Sequence, residues 1–280
     1  DPVLLVDGNV TAVAAGYGHS LILMDDGTVR SSGLNGSGQI GDGTYSDRGT
    51  FVQVAGLVDI RKICAGLHFS AALDGSGRLW CWGNNTNGQI GNGTIESVLV
   101  PVQVPNLPPV QALAMGDYHI LALDTEGNLY AWGSNISGEI GNGTLGSSQP
   151  SPVSVAQGVM SVYAGAQRSA AICSDGGLRT WGNNVLSPRL EEDFAGTTTG
   201  TTTGTTVTAC AVGDAMLLKT GSALFGSGYF RDRGLITSSL NYGNLFVRDP
   251  FGSMEIAPLH GNSRGFAVID TAGNLYVWGD

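Results

Sequence analysis

Glycine breaks this chain into short apolar runs, and none of the runs has helical spacing. In "HFSAALDGSGRLWCWG", His68 to Gly83, two β-favouring stretches flank Asp74-Gly75-Ser76-Gly77. "HILALDTEGNLYAWG" and "GFAVIDTAGNLYVWG" repeat the arrangement with Gly127 and Gly273 in the turn. Each predicts a β-hairpin. A further strand signal precedes the hairpin ("VDIRKICAG", "PVQALAMG", "GVMSVYAG"), and a valine-rich piece follows it ("FVQV", "PVQV", "PVSV"). The unit is therefore four strands.

The unit recurs. The glycines that close the hairpins are Gly33, Gly83, Gly133, Gly182, Gly226 and Gly279, at gaps of 50, 50, 49, 44 and 53 residues. Seventeen residues before the first four stand Gly16, Gly66, Gly116 and Gly165. Four strands at such a period, without helices between, predict an all-β fold of the β-propeller type. Six hairpins give six four-stranded blades, with seven as the runner-up. All 280 residues form one domain, irregular over about 183–260. The chain starts with an outer strand that lacks a blade, "PVLLV", and stops at a third strand that lacks an outer partner, "LYVWGD". Pro2–Val6 is thus expected to complete the last blade, built from about Ile256 to Gly279, and to hide the edges of an open ring. The start inside a strand-like run is what a mature or trimmed chain would show.

Between the third and outer strands lies a recurring phrase: "LNGSGQIGDGT", "NNTNGQIGNGT" and "SNISGEIGNGT". No Lys-Ser or Lys-Thr follows it, so it is not a phosphate loop. Its glycines suit left-handed turns, and its Asn and Gln side chains suit loop backbone groups. Ile40, Ile90 and Ile140 are expected to plug the gap between blades. Asp42 takes the place of Asn92 and Asn142, which makes it a turn residue.

Composition narrows the function. Charged residues are 13% and glycines number 44, both unlike a helical protein, while 42% hydrophobic residues suffice for a core. A net charge of −10 argues against nucleic acid or an anionic membrane as partner. No run reaches the roughly 18 apolar residues of a membrane span, so membrane insertion is not expected. The four cysteines (Cys64, Cys81, Cys173, Cys210) lack metal-ligand spacing. Cys81 is expected opposite Ser70, out of reach of Cys64, which leaves Cys173 and Cys210 as the candidate disulfide. His19 and His119 recur at one repeat position, with His68 one register off and His260 outside the pattern; all suit structural roles. Trp82, Trp132, Trp181 and Trp278 recur as packing residues, and Trp80 is an extra. No metal site, cofactor site or catalytic set stands out, and the protein is read as a non-enzyme.

"AAGYGHSLILMDDGTV", then "NGSGQIGDGT", then a Val-x-Val strand resembles the regulator-of-chromosome-condensation repeat family. Six units cover the chain, and the fifth is degenerate. The resemblance implies a disc-shaped propeller, usually of seven blades. The family includes a nuclear exchange factor for a small GTPase, bacterial effectors, secreted β-lactamase inhibitors and many interaction modules. The exchange factor uses an inserted wedge, for which the regular first three units leave no insertion.

The favoured function is a structural or interaction module that works with a protein partner or by self-assembly. Exchange on a small GTPase and inhibition of a secreted enzyme are the alternatives. Six Asn-x-Ser/Thr sequons (Asn9, Asn35, Asn84, Asn92, Asn135, Asn142) are candidate glycosylation sites. The tract from Gly196 to Thr208 adds Thr197, Thr198, Thr199, Thr201, Thr202 and Thr203. Scarce lysine points the same way, to an extracellular or surface glycoprotein, with the cytosol as alternative. The aromatics that the repeat does not explain follow Gly226. Tyr229, Phe230, Tyr242 and Phe246, interleaved with Arg231, Arg233 and Arg248, are the candidate partner-binding residues.

Overall fold

The computed structural model describes residues 8–190 in full, and beyond them the backbone of six strands between Val207 and Gly279. The first blade is β1–β4 (Val10–Ala15, His19–Met24, Val29–Gly33, Arg48–Gln53) and the second β5–β8 (Ile60–Ala65, Phe69–Asp74, Leu79–Gly83, Val98–Gln103). The third is β9–β12 (Val110–Met115, His119–Asp124, Leu129–Gly133, Gln149–Ala156) and the fourth β13–β16 (Val159–Ala164, Arg168–Cys173, Leu178–Gly182, Val185–Leu190). Each is an antiparallel sheet with its strands in chain order. Two three-stranded sheets follow, β17–β19 (Val207–Val212, Ala215–Thr220, Ala223–Gly228) and β20–β22 (His260–Gly261, Gly265–Ile269, Leu275–Gly279). First strands of successive blades touch one another, so they lie innermost and the fourth strands form the rim. The described residues are an all-β propeller arc of four complete blades, where the repeat count predicts six. Pro2–Val6 lies outside the described residues.

The core belongs to the seams between blades rather than to the blades. Along β6, Phe69, Ala71 and Leu73 pack into one cluster with Leu113, Ile120 and Trp132 of the third blade. Ala72 packs the other way, with Leu21 and Leu23 of the first. A third cluster joins Leu121, Leu123 and Ile140 to Val162, Ala171 and Trp181. Period-2 alternation therefore sends successive side chains of a second strand into two different seams. That is why β6 and β10 read as continuous apolar runs: every position in them is buried. Ile40, Ile90 and Ile140 are fully buried at these seams, as the phrase predicts.

Two positions demand glycine. A Cβ on Gly116 would run into the His119 ring and the Gly165 carbonyl, so the inner strands can meet only without a side chain there. Gly133 has φ 107° and lies against the carbonyl of Tyr118, which locks the end of the third strand onto the turn before the second.

The hairpin register differs by one residue from the expectation. The turn spans Gly75–Gly77 with the Asp74 N–H donated to Arg78 O at 3.0 Å and Gly77 at φ 79°. With Asp74 paired to Arg78 the turn is one residue shorter than expected, which moves Cys81 opposite Ala71, not Ser70. Cys64 flanks the same Ala71 from the other side. The two cysteines are thus two strands apart, roughly 10 Å, beyond disulfide reach. Cys64, Cys81 and Cys173 are free thiols, and burial pushes all three up from the usual thiol range. The side chain of Cys210, the other half of the candidate disulfide, lies outside the described residues.

The repeated phrase is held by one buried asparagine per blade. Asn35 Oδ1 accepts the Ile40 N–H at 3.0 Å, and its Nδ2 donates to the carbonyls of Thr44 at 2.9 Å and Ser46 at 3.0 Å. Asn85 and Asn135 repeat the clamp around Ile90 and Ile140. This corrects two sequons. Asn35 and Asn135 are buried with their amide protons committed to the loop, so neither can carry a glycan in this fold. Asn9 and Asn142 are exposed, and Asn84 and Asn92 are half-buried.

Candidate functional site

Antiparallel order places the turns after the first strands (16–18, 66–68, 116–118, 165–167) and the loops after the third strands (34–47, 84–97, 134–148) on one face of the disc. The loops tie neighbours together at the rim. The Gly43, Gly93 and Gly143 N–H groups donate to the carbonyls of Leu99, Pro150 and Leu186, each in the next blade, at 3.0, 2.8 and 2.9 Å. The same face carries exposed large apolar side chains, with Tyr17 and Leu34 nearer the axis and Ile136 61% exposed. Tyr45, Ile95 and Leu145 recur one per blade, each just after the Gly-Thr that ends the phrase, and all are exposed. Tyr17 meets His68 edge to face at 5.4 Å.

The fourth blade breaks the pattern. Only Asn183 and Asn184, at φ 48° and 73°, connect its third strand to its outer one. Left-handed conformations at both residues suit a two-residue hairpin turn, and asparagine tolerates them better than most side chains. Where the long loop is missing, a cleft of about 410 Å3 opens between the third and fourth blades. Asp117, Tyr118 and Ile136 line it from the third blade, and Gln167 and Asn183 from the fourth; Asn87 reaches in from the second.

Two lining residues also depart from the repeat. Glu139 stands where the first two blades have Gln39 and Gln89. It is 2% exposed; Oε2 accepts the Ser137 N–H at 2.8 Å, and Oε1 lies 3.3 Å from Ser134 Oγ. Gln39 and Gln89 accept the matching N–H groups, also at 2.8 Å, so Glu139 keeps their loop role and adds a charge. Arg168 stands where His19, Phe69 and His119 are buried in the seams. It is half-buried, lines the cleft and makes no ion pair among the described residues.

The cleft thus joins a cation, a buried carboxylate and several amide and hydroxyl groups, which is a recognition surface for polar ligands. Ser134 Oγ donates to Glu139 Oε1 at 3.3 Å in the cleft, and no histidine is among its lining residues. His19 and His119 are inaccessible, and desolvation holds both down at about 4, with the His68 charge adding to the effect at His19. No group of three metal-ligating side chains occurs among the described residues. Asp42 is the expected turn residue: it accepts from the Thr44 N–H at 3.0 Å and pairs with Arg48. Trp82, Trp132 and Trp181 donate Nε1–H to the carbonyls of Gln39, Gln89 and Glu139 at 2.9, 3.0 and 2.8 Å, a seam bond at each junction. Trp80 is half-buried beside Asp74. The candidate partner-binding residues Tyr229, Phe230, Arg231, Arg233, Tyr242, Phe246 and Arg248 lie outside the described residues. So do Thr197–Thr199 and Thr201–Thr203 and the side chains of His260 and Trp278. Reading each aromatic cluster for itself passes over Glu139 and Arg168; aligning the units and noting the shortened loop of the fourth finds both.

Models of the regulator of chromosome condensation (RCC1) repeat match residues 76–123 and 126–172, and a second model of that repeat matches 10–39, 60–89 and 110–139. No curated protein sequence matches the chain. Human WBSCR16 superposes with a TM-score of 0.80 at 23% identity, covering 98% of this chain and 77% of its own. Yeast RCC1 (Prp20), solved bound to Kap60, gives 0.80 at 19% identity over 96% of this chain and 70% of its own. Prp20p from Saccharomyces cerevisiae, studied for its binding to Gsp1p and histones, gives 0.78 at 19% identity, with coverage of 96% and 72%.

Proposed function

Because this chain belongs to the RCC1 repeat family, we propose that it is a non-enzymatic propeller that docks protein partners on its loop-bearing face. The fold supports a protein-interaction role. One observation carries the choice of face: Tyr17, Leu34, Tyr45, Ile95, Ile136 and Leu145 are all exposed there. Clustered exposed apolar side chains mark interaction surfaces, and tyrosines recur among binding hot spots. Partner capture with matched variants tests it. Tyr17→Ser with Ile136→Ser loses the partner, whereas Val58→Ser, at an exposed position on the opposite face, keeps it. Equal capture by both variants refutes the face.

The ring in this proposal has six blades, closed by Pro2–Val6. The protein is a secreted or surface glycoprotein, a reading supported by the exposed sequons Asn9 and Asn142. Intact mass from a native source tests this, and an unmodified mass removes it. A second reading, exchange on a small GTPase, draws on the likeness to Prp20p and its binding to Gsp1p. Nucleotide release from a loaded GTPase separates the two.

A further inference from the structure

Three departures from the repeat meet in one place: the fourth blade drops its loop to Asn183-Asn184, glutamine becomes Glu139, and a buried seam residue becomes Arg168. We propose that the resulting cleft is a saccharide-binding site for a neutral pyranose unit, on the same face as the docking surface and sharing Ile136 with it.

Both side-chain changes bring a charged group to the cleft where the earlier blades have neutral ones. Gln89 donates Nε2–H to Asn84 Oδ1 at 2.8 Å; in the third blade Ser134 replaces that asparagine and its Oγ donates to Glu139 Oε1 at 3.3 Å, so a neutral pair and a charged one hold the loop equally. Arg168 is half-buried, lines the cleft and makes no ion pair among the described residues. Charges placed where the fold has a neutral solution, and converging on one cavity, are the mark of a site maintained for use. The lining then selects the ligand. A bare anion would face Glu139, and a bare cation would face Arg168. A neutral ligand that offers both donors and acceptors meets both without an uncompensated charge. A sugar hydroxyl does both at once: it accepts from the Arg168 guanidinium or the Asn87 and Asn183 amides, and donates to a carboxylate or amide oxygen. Tyr118 and Ile136 supply the apolar surface for the C–H face of a pyranose ring. At about 410 Å3 the cleft falls in the range of small-ligand sites, about 300–1,000 Å3.

The test is a printed array of neutral and charged glycans probed with the labelled full chain, followed by titration of the best glycan in solution. The wild type retains a subset of neutral glycans. Glu139→Gln with Arg168→Gln exchanges both charges for neutral amides, so this variant loses affinity ~10-fold or more, with its melting temperature as the check on folding. Absence of any retained glycan overturns the proposal, as does undiminished binding by the double variant. Retention of sialylated or sulfated glycans alone also overturns it, by making the site an anion pocket. Arg168-dependent capture of displayed peptides without any glycan makes it a peptide site; the sugar reading then falls while docking on the face stands.

Discussion

Nε2 of His119 lies 2.9 Å from Oγ of Ser169 in the next blade, and that hydroxyl lies 2.8 Å from the carbonyl oxygen of Glu139. A serine has one proton, and the carbonyl can only accept it. His119 must therefore donate from Nε2, which leaves Nδ1 bare and buried without a partner. His19 repeats the arrangement with Ser70 and the carbonyl of Gln39. The seam between them uses Phe69 and Ile120 at the same positions and is apolar. Polar and apolar seams thus alternate around the described arc.

That alternation sets a pH response. Both histidines are held at about 4, below their ordinary 6.5. The unfolded chain therefore binds more protons between those values, and stability falls as pH drops from about 6.5 towards 4. The loss is on the order of 3 kcal/mol per ring if the fold keeps the ring neutral. The aspartates that hydrogen bonds hold low, such as Asp42 and Asp124, lose their contribution only below about 3.8. His119→Phe with Ser169→Ile copies the apolar seam. Melting curves at pH 7 and pH 4.5 should lie closer together in this variant than in the wild type; an unchanged gap excludes His119 as the source.

The asparagine clamp predicts a large effect from one small truncation. Asn85→Ala leaves the Ile90 N–H and the carbonyls of Thr94 and Glu96 without their partner at the base of the loop. The expected cost is about 2–4 kcal/mol, since one side chain serves several backbone groups. Asn85→Asp should be no better, because it keeps the acceptor and loses both donors. Urea unfolding measures both, and a change under about 0.5 kcal/mol would show that the loop holds its shape without the clamp.

Two glycines to alanine separate close approach from mere flexibility. Gly116→Ala pushes a methyl into the His119 ring and the Gly165 backbone, with an expected loss of about 1–3 kcal/mol. Gly36→Ala meets nothing within 4 Å and should stay within about 0.5 kcal/mol. Equal melting temperatures for the two variants would contradict the packing account.

Expression through a eukaryotic secretory pathway tests the sequons. Glycopeptide mapping of the folded protein should find occupancy among Asn9, Asn142 and the half-buried Asn84 and Asn92, and none at Asn35 or Asn135. A glycan on either buried asparagine in soluble, folded protein would refute the clamp geometry.

The repeat, the four-strand unit and the family were legible in the chain because they rest on local chemistry. Turn glycines, alternating apolar residues and a Gln-Ile-Gly phrase each act within a few residues of themselves, and copying them at a near-constant spacing makes them visible. The hairpin register missed by one, because a three-residue turn and a four-residue turn use the same Gly-Ser-Gly letters and differ only in backbone angles. The partners of His119 and Trp132 were not legible, since each lies in a neighbouring blade and only the packing of sheets brings it near. The cleft is the furthest from the sequence. Glu139 and Arg168 look like ordinary drift in two separate units until the fold sets those units side by side and removes the loop that would have filled the space between them.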